Sequence, residues 1–328
     1  MMYVSLLLVN EMLNFNLSQK PEDVCIVIPT FRRSTGLCLA IESLFLQDII
    51  APHIRVLVVD NNPEPIEKPM IKALSAQFHH KIEYIHEPNA GVSNARNAAM
   101  KQACTSRYIA FLDDDMCVSP SWLSSLLETS KTYEAGLVFG PTYAVMPNKD
   151  DPSNRYMEPF FERVLPLEND GIIEKTLGTG GCLIDLAYCQ IPNPPFNPDL
   201  NERGGEDDIF FDHLKQTGTR VAWSTQAISF ENVPKSRATH QYIWKRNFGY
   251  GQGPTRVHAS RGLKGMPGIL YYMAAGMVQL LLFAPHLAVL KLFNRPAQSK
   301  YLALTARALG KIFWQDRFIP LLYGQAGS

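Results

Sequence analysis

The stretch RYIAFLDDD, residues 107–115, decides the fold: an apolar run closed by three adjacent carboxylates. The run reads as a strand buried on both faces, as in a parallel sheet. Side-by-side carboxylates repel one another and call for a cation at the strand end. Two other runs end in polar clusters. VCIVI (24–28) leads into Pro29-Thr30-Phe31-Arg32-Arg33, and RVLVVD (55–60) into Asn61-Asn62. Helical patterns separate the strands, from Ser34 to about Gln47, from 66 to 78 and from Gly91 to Ala103, with another strand at KIEYIH (81–86). After the acidic run, Ser119-Pro120 opens a helix to about Thr129, and LVFGPTYAV (137–145) reads as a fifth strand. This βαβα order predicts an α/β fold, a Rossmann-like, mostly parallel sheet flanked by helices. Ligands of such sheets bind outside the carboxyl ends of the strands, where the three polar clusters converge.

Farther along, residues 146–176 read as a long surface insertion. TLGTGGCLID (176–185) returns to a strand after a glycine cluster, and GGEDDIFFDHLKQTG (204–218) gives a helix that starts on Glu206-Asp207-Asp208 and stops at Gly218. RVAWS and AISFE are two further short strands.

Lys and Arg total 31 and Asp and Glu 31, so the net charge is zero and a dominant basic surface for nucleic acid is excluded. The balance is uneven along the chain. Residues 1–263 hold 24 Lys/Arg and 30 acids, whereas residues 264–328 hold seven Lys/Arg and one acid. Six scattered cysteines form no C-x-x-C pair and meet no histidine cluster, which points away from zinc or a disulfide framework and toward a reducing compartment. The sequence divides into an N-terminal extension (1–21), an α/β domain (22–263) and an apolar, basic helical tail (264–328). Within that tail, Gly268–Phe293 carries Lys291 as its only charge. As a helix it spans about 39 Å, enough for one bilayer crossing. Basic residues on both flanks and Pro285-His286 within the run favour a re-entrant or interfacial segment instead, with both flanks on the cytoplasmic face of the plasma membrane. The expected attachment is peripheral or monotopic.

Hard carboxylate oxygens in Asp113-Asp114-Asp115 suit Mg²⁺ or Mn²⁺, ions that also hold substrate phosphates. Neither a G-x-x-x-x-G-K-[ST] loop nor a G-x-G-x-x-G turn follows the first strand, so phosphate charge falls to a metal and to scattered cations. Lys245 and Arg246, on an aromatic segment, are candidates to hold a diphosphate. Glu206-Asp207-Asp208, on a glycine-flexed loop, offers a general base, although acids in a first turn also complement the helix dipole.

VCIVIPTFRR, VVDNN, EPNAGVSNARNAA, FLDDD and GGEDDIF, in that order, resemble the family 2 glycosyltransferases of GT-A fold over residues 22 to about 253. The stretch ENVPKSRATHQYIWKRNFGYGQG is most similar to the membrane-associated glucosyltransferases of succinoglycan-type exopolysaccharide assembly. The resemblance implies that Thr30 and Phe31 line the nucleotide base pocket and that Asp60 accepts a hydrogen bond from uracil. It implies that Arg96 bridges base pocket and metal loop, that Asp113 and Asp115 form a D-x-D pair with Asp115 the direct metal ligand, and that Asp207 is the catalytic base. Glu206 or Asp208 would bind acceptor hydroxyls, and Pro29, Arg33, Gly91, Asp114, Gly180 and Gly181 would complete the nucleotide-sugar site. Many relatives carry a metal-binding His near SFEN, where this chain has Phe230-Glu231, leaving His240 as the substitute. The implied reaction moves a hexose, glucose first, from a UDP-sugar to a lipid-linked glycan with inversion. Two rivals are a sugar-1-phosphate nucleotidyltransferase, which needs a Gly-rich basic loop where this chain has IPTFRR, and a non-catalytic sugar-nucleotide or glycan binder.

Overall fold

The computed structural model describes residues 23–49, 54–201 and 204–320; the N-terminal extension expected over 1–21 lies outside them. The described residues form two compact units. One comprises residues up to 142 with 164–201 and 205–230, and the other comprises 143–163, 204 and 231 onward.

In the first unit, strands β1 (Val24–Thr30), β2 (Ile54–Asp60), β3 (Ile82–His86) and β4 (Tyr108–Phe111) alternate with helices α1 (Ser34–Leu44), α2 (Lys68–Gln77) and α3 (Val92–Ala103). Along the chain there follow β5 (Met116–Val118), α4 (Trp122–Tyr133), β6 (Leu137–Phe139), β7 (Thr142–Val145), β8 (Gly171–Ile172), β9 (Cys182–Asp185), α6 (Glu206–Gln216), β10 (Val221–Trp223) and β11 (Ser229–Asn232), of which β7 and β11 straddle the boundary between the units. A short helix, α5 (Asn154–Met157), lies in the second unit. Eight strands form the main sheet in the order β3-β2-β1-β4-β9-β6-β10-β8. Pairings β1/β2, β1/β4, β2/β3 and β6/β10 are parallel, whereas β9 runs antiparallel to both neighbours and β8 antiparallel to β10. The sheet is therefore mixed, with its parallel half where the motif-bearing strands lie.

Period-two alternation explains the layers. Val24, Ile26, Ile28, Val56 and Val58 face a cluster with Leu37, Ile41 and Leu44 of α1, Ile71 and Leu74 of α2, and Trp122 and Leu126 of α4. Cys25, Val27, Leu57 and Val59 face the opposite cluster, with Ala95 and Ala99 of α3 and Phe210, Phe211 and Leu214 of α6. Each fully buried aliphatic side chain contributes about 1.5–3 kcal/mol, so strands covered on both faces carry the stability of this unit.

The expected fifth strand splits at Gly140-Pro141 into β6 and β7, because Pro141 has no N–H for a ladder. The helix expected from Ser119 begins at Trp122 and runs to Tyr133.

The second unit is built on three helices, α7 (His240–Ala259), α8 (Met266–Leu292) and α9 (Gln298–Ile312). Met146, Met157, Phe161, Val233, Ile243 and Ala303 form its core. Helix α7 joins α9 through Arg307 Nε to Asn247 Oδ1 (2.7 Å), Gln252 Nε2 to the Phe313 carbonyl (2.8 Å) and Thr255 Oγ1 to the Lys311 carbonyl (3.1 Å). The boundary expected at residue 263 therefore falls inside this helical unit. Pro285 does not interrupt α8, which is continuous from Met266 to Leu292.

Candidate active site

Parallel register builds the site. Thr30 ends β1 opposite Asp60, the end of β2. Val27 of β1 pairs with Phe111 of β4, so three residues farther along Thr30 comes level with Asp114. Thr30 Oγ1 donates to Asp114 Oδ2 (2.9 Å), and the Phe31 amide donates to the same oxygen (3.2 Å). Arg33 Nη1 donates to Asp114 Oδ1 (2.9 Å) and to Asp115 Oδ2 (2.7 Å). Burial opposes the Arg33 charge, yet Asp114 and Asp115 hold its pKa above the ordinary value. Asp114 and Arg33, both expected to bind donor, instead clasp the β1 and β4 loops together, since Asp114 is buried under three donors. Phe31 is 37% exposed with the Arg32 guanidinium over its ring (5.0 Å), leaving an aromatic face at the rim. Pro29 is half-buried within β1, opposite Val59.

Asp60 departs from its expected role. It is fully buried and accepts from the Asn62 amide (3.1 Å), Asn62 Nδ2 (2.7 Å), the Glu67 amide (3.1 Å) and Tyr84 Oη (2.8 Å). Four donors match the roughly four lone-pair sites of a carboxylate, leaving none for uracil. The neighbouring asparagines, missed as individual residues in the sequence, extend the same scaffold. Asn61 accepts from the Gly91 amide (2.8 Å) and donates to the carbonyls of Glu87 and Asn89, setting the start of α3. Asn62 Oδ1 accepts from the Arg32 amide (3.0 Å). Gly91 accordingly serves the entry to α3. The doubled amide in VVDNN was the available signal, because such side chains bond to nearby backbone in turns.

Arg96 of α3 joins the metal loop to the acidic helix. It is 6% exposed; Nη1 donates to Glu206 Oε1, Nη2 lies 3.8 Å from Asp113 Oδ1, and the guanidinium lies over Phe196 (5.6 Å). Burial disfavours its charge, but Asp113, Glu206 and Asp207 together raise its pKa. The expected bridge from base pocket to metal loop is therefore a bridge from metal loop to α6. Glu206 is 5% exposed and ion-paired, so it is not placed to bind an acceptor hydroxyl. Gly204 (φ 74°) and Gly205 (φ 87°) turn the chain into α6 through left-handed backbone that glycine adopts without strain. Past that turn Asp207 is half-buried, its Oδ1 accepting from the Asp208 amide (3.0 Å), and Asp208 is exposed. The three acids thus separate into a buried anchor, a half-buried candidate base and a surface residue.

Strand β9, antiparallel to β4, begins at the same edge. Gly181 donates its amide to the Phe111 carbonyl (2.8 Å), and a Cβ at Gly180 would stand 2.2 Å from Asp113 Oδ2. Gly180 keeps open the space that the Asp113 carboxylate occupies. Lys245 and Arg246 lie on α7 of the second unit; Lys245 is exposed, while Arg246 Nε donates to Tyr250 Oη (2.8 Å) and its guanidinium lies near the Phe161 ring (5.9 Å).

A metal fits the donor chemistry. Among the described residues, ion pairs join Asp114 and Asp115 to Arg33, and Asp113 and Glu206 to Arg96, while Asp113 and Asp115 supply hard oxygens at the rim, their side chains 36% and 12% exposed. Among the described residues no group of three or more His, Cys, Asp or Glu is gathered around one point. His240, the expected substitute ligand, lies in the second unit, where its Nε2 pairs with Ser299 Oγ (2.9 Å). Glu231 is occupied as well, with Arg163 at 3.1 Å and Arg237 at 3.8 Å.

The model of the family "Glycosyl transferase family 2" matches residues 25–183. The succinoglycan biosynthesis protein ExoM of Rhizobium meliloti is 34% identical over 210 residues, 64% of this chain and 66% of ExoM. In structure, the chain is similar to the mannosyltransferase PcManGT of Pyrobaculum calidifontis, solved with GDP-Man and Mn²⁺ (TM-score 0.56, 17% identity, 94% of this chain and 95% of that one). It is also similar to residues 1–349 of S. aureus TarS, solved with UDP (TM-score 0.53, 14% identity, 88% and 90% covered). These likenesses establish the GT-A fold, and residues 25–183 form a glycosyl transferase family 2 domain.

Proposed function

We propose that the chain is an inverting, metal-dependent hexosyltransferase that moves glucose from UDP-glucose to a lipid-linked glycan in exopolysaccharide or cell-surface polysaccharide synthesis. The observation that carries this reading is Arg96, whose contacts to Asp113 and Glu206 fix the D-x-D loop to the helix bearing Asp207. The Asp113 carboxylate and the first turn of the helix bearing Asp207 are thereby held on one buried guanidinium.

In this reading Phe31 stacks on the base. A divalent cation held by Asp113 and Asp115 would supply positive charge at the diphosphate. Asp207 removes the proton from an acceptor hydroxyl as its oxygen attacks the anomeric carbon from the face opposite the nucleotide. The bond from anomeric carbon to diphosphate oxygen breaks in the same displacement, and its electron pair leaves on UDP. One displacement inverts the centre, and the leaving diphosphate needs no proton from an acid. The similarity to ExoM supports the exopolysaccharide setting. The basic, apolar segment from 264 onward supports residence at the cytoplasmic face of the plasma membrane, where lipid-linked acceptors lie.

The test is a panel of labelled UDP-sugars, with GDP-mannose included, incubated with the full chain and lipid extracts with and without EDTA. Organic-extractable label from UDP-glucose, abolished by EDTA and restored by Mn²⁺, is expected. Label from GDP-mannose alone reassigns the donor, and transfer insensitive to EDTA removes the metal.

A further inference from the structure

Helix α8 is apolar on two faces, and the structure covers one. Ile269, Met273, Gly276, Leu280, Phe283 and Leu287 form a buried or half-buried stripe at helical spacing. Between them Leu270 (62%), Met277 (56%), Val278 (58%), Leu281 (74%), Leu282 (56%) and Val289 (55%) form an exposed stripe of the same apolar character. A helix bathed by water on its outer side carries polar residues there. Helix α8 therefore has an unsatisfied apolar face along its length.

Charge identifies what covers it. No acidic residue occurs from Asn232 to Gln315, a segment that holds twelve Lys and Arg. Exposed Arg261 and Lys264 precede the stripe, and exposed Lys291 and Arg295 follow it. A second copy would bring the same cations against one another, whereas an anionic lipid surface meets them with opposite charge.

Packing decides the orientation. Gln279 is the midpoint of α8, and Lys311 Nζ of α9 donates to its Oε1 (2.7 Å). Phe283 meets Tyr301 at 6.4 Å, and a Cβ at Gly276 would lie 2.7 Å from the Ala308 carbonyl, so α9 runs antiparallel along the covered face. Although α8 has the length and composition to cross a membrane, crossing would carry Lys311 to the hydrocarbon midplane without a carboxylate partner. Lying flat, the helix spans about 40 Å and lets both basic ends reach the headgroups of one leaflet.

We propose that α8 lies in the plane of an anionic bilayer surface, its Leu270–Val278–Leu281–Val289 stripe in the lipid and its opposite stripe on α9. This rests on the membrane location proposed above and specifies its geometry. The full chain, carrying an environment-sensitive fluorescent amino acid at 270, 281 or 289, is mixed with phosphatidylcholine vesicles with or without phosphatidylglycerol. Spin-labelled lipids then report depth. Binding that needs phosphatidylglycerol, with equal shallow quenching at all three positions, is expected. Tight binding with quenching deepest at 281 overturns the flat orientation and leaves the membrane location standing, whereas no binding to either vesicle overturns the location itself. Val278→Asp with Leu281→Asp, on an exposed face, lowers vesicle affinity at least tenfold with nucleotide-sugar binding unchanged; unchanged vesicle affinity refutes the lipid contact. A wild-type dimer formed without lipid and lost in the double variant assigns the face to a second copy and also overturns the proposal.

Discussion

Replacing Glu206 by Gln leaves Arg96 buried without its direct ion-pair partner, with Asp113 at 3.8 Å and Asp207 acting only at a distance on its charge. Breaking a buried ion pair by removing one partner costs about 3–5 kcal/mol, because the remaining charge stays desolvated. Arg96→Met leaves Glu206 in the converse position while preserving most of the packing on Phe196. The double variant has no stranded charge, and apolar or neutral substitutes for a buried pair are often nearly neutral. The cycle therefore predicts two single variants each destabilised by about 3–5 kcal/mol, a double variant within about 2 kcal/mol of wild type, and a coupling energy of several kcal/mol. Urea unfolding of the first unit reads this out through Trp122 and Trp223, both buried in it, with Trp244 and Trp314 changed to Phe so that the second unit is silent. If the single-variant losses simply add in the double variant, the pair is not the junction described. The double variant regains stability but not transfer, because the link between Asp113 and the Asp207 helix is gone.

Other outcomes follow from particular contacts. Gly180→Ala places a methyl group 2.2 Å from Asp113 Oδ2 and must displace that carboxylate; sugar transfer falls at least tenfold and the Mn²⁺ concentration for half-maximal rate rises, which a metal titration of the rate checks. Burial pushes the Cys25 and Cys189 thiols up to about 12, so at pH 8 iodoacetamide leaves both unmodified in the native chain while exposed Cys104 reacts, as peptide mapping will show. Burial, with Lys291 adding to it, lowers the His240 pKa against the opposing pull of Asp151. The unfolded chain therefore binds the proton more readily: this penalty is absent above about pH 6.5 and grows as pH falls through that value toward the folded-state pKa. Thermal melting of the second unit shows this acid loss, and His240→Gln flattens it.

Much of the fold was legible because periodicity reports burial. VCIVI, RVLVVD and YIAFL are apolar on both faces and became central strands of the parallel half. The antiparallel placement of β9 was not legible, since direction within a sheet leaves no mark on a four-residue apolar run. At the site, the sequence located the loops but not the assignments within them. Asp113, Asp114 and Asp115 differ by one residue in position and by a full change of environment: Asp114 takes three donors inside, while Asp113 faces the rim. Register with β1 sets that difference, a tertiary fact. Glu206 and Asp207 separate for the same reason, because Arg96 comes from more than a hundred residues earlier. In α8 the helix continues through Pro285, because a single missing N–H leaves the remaining helical bonds in place.

The proposed sugar transfer depends on Asp207 as its base. Its most direct test is the rate of labelled hexose transfer to lipid acceptor at saturating nucleotide sugar and Mn²⁺, wild type against Asp207→Asn, with nucleotide-sugar binding measured on both. Loss of the base predicts a rate lower by about 10²–10⁴ with binding retained, and transfer by Asp207→Asn at the wild-type rate contradicts it.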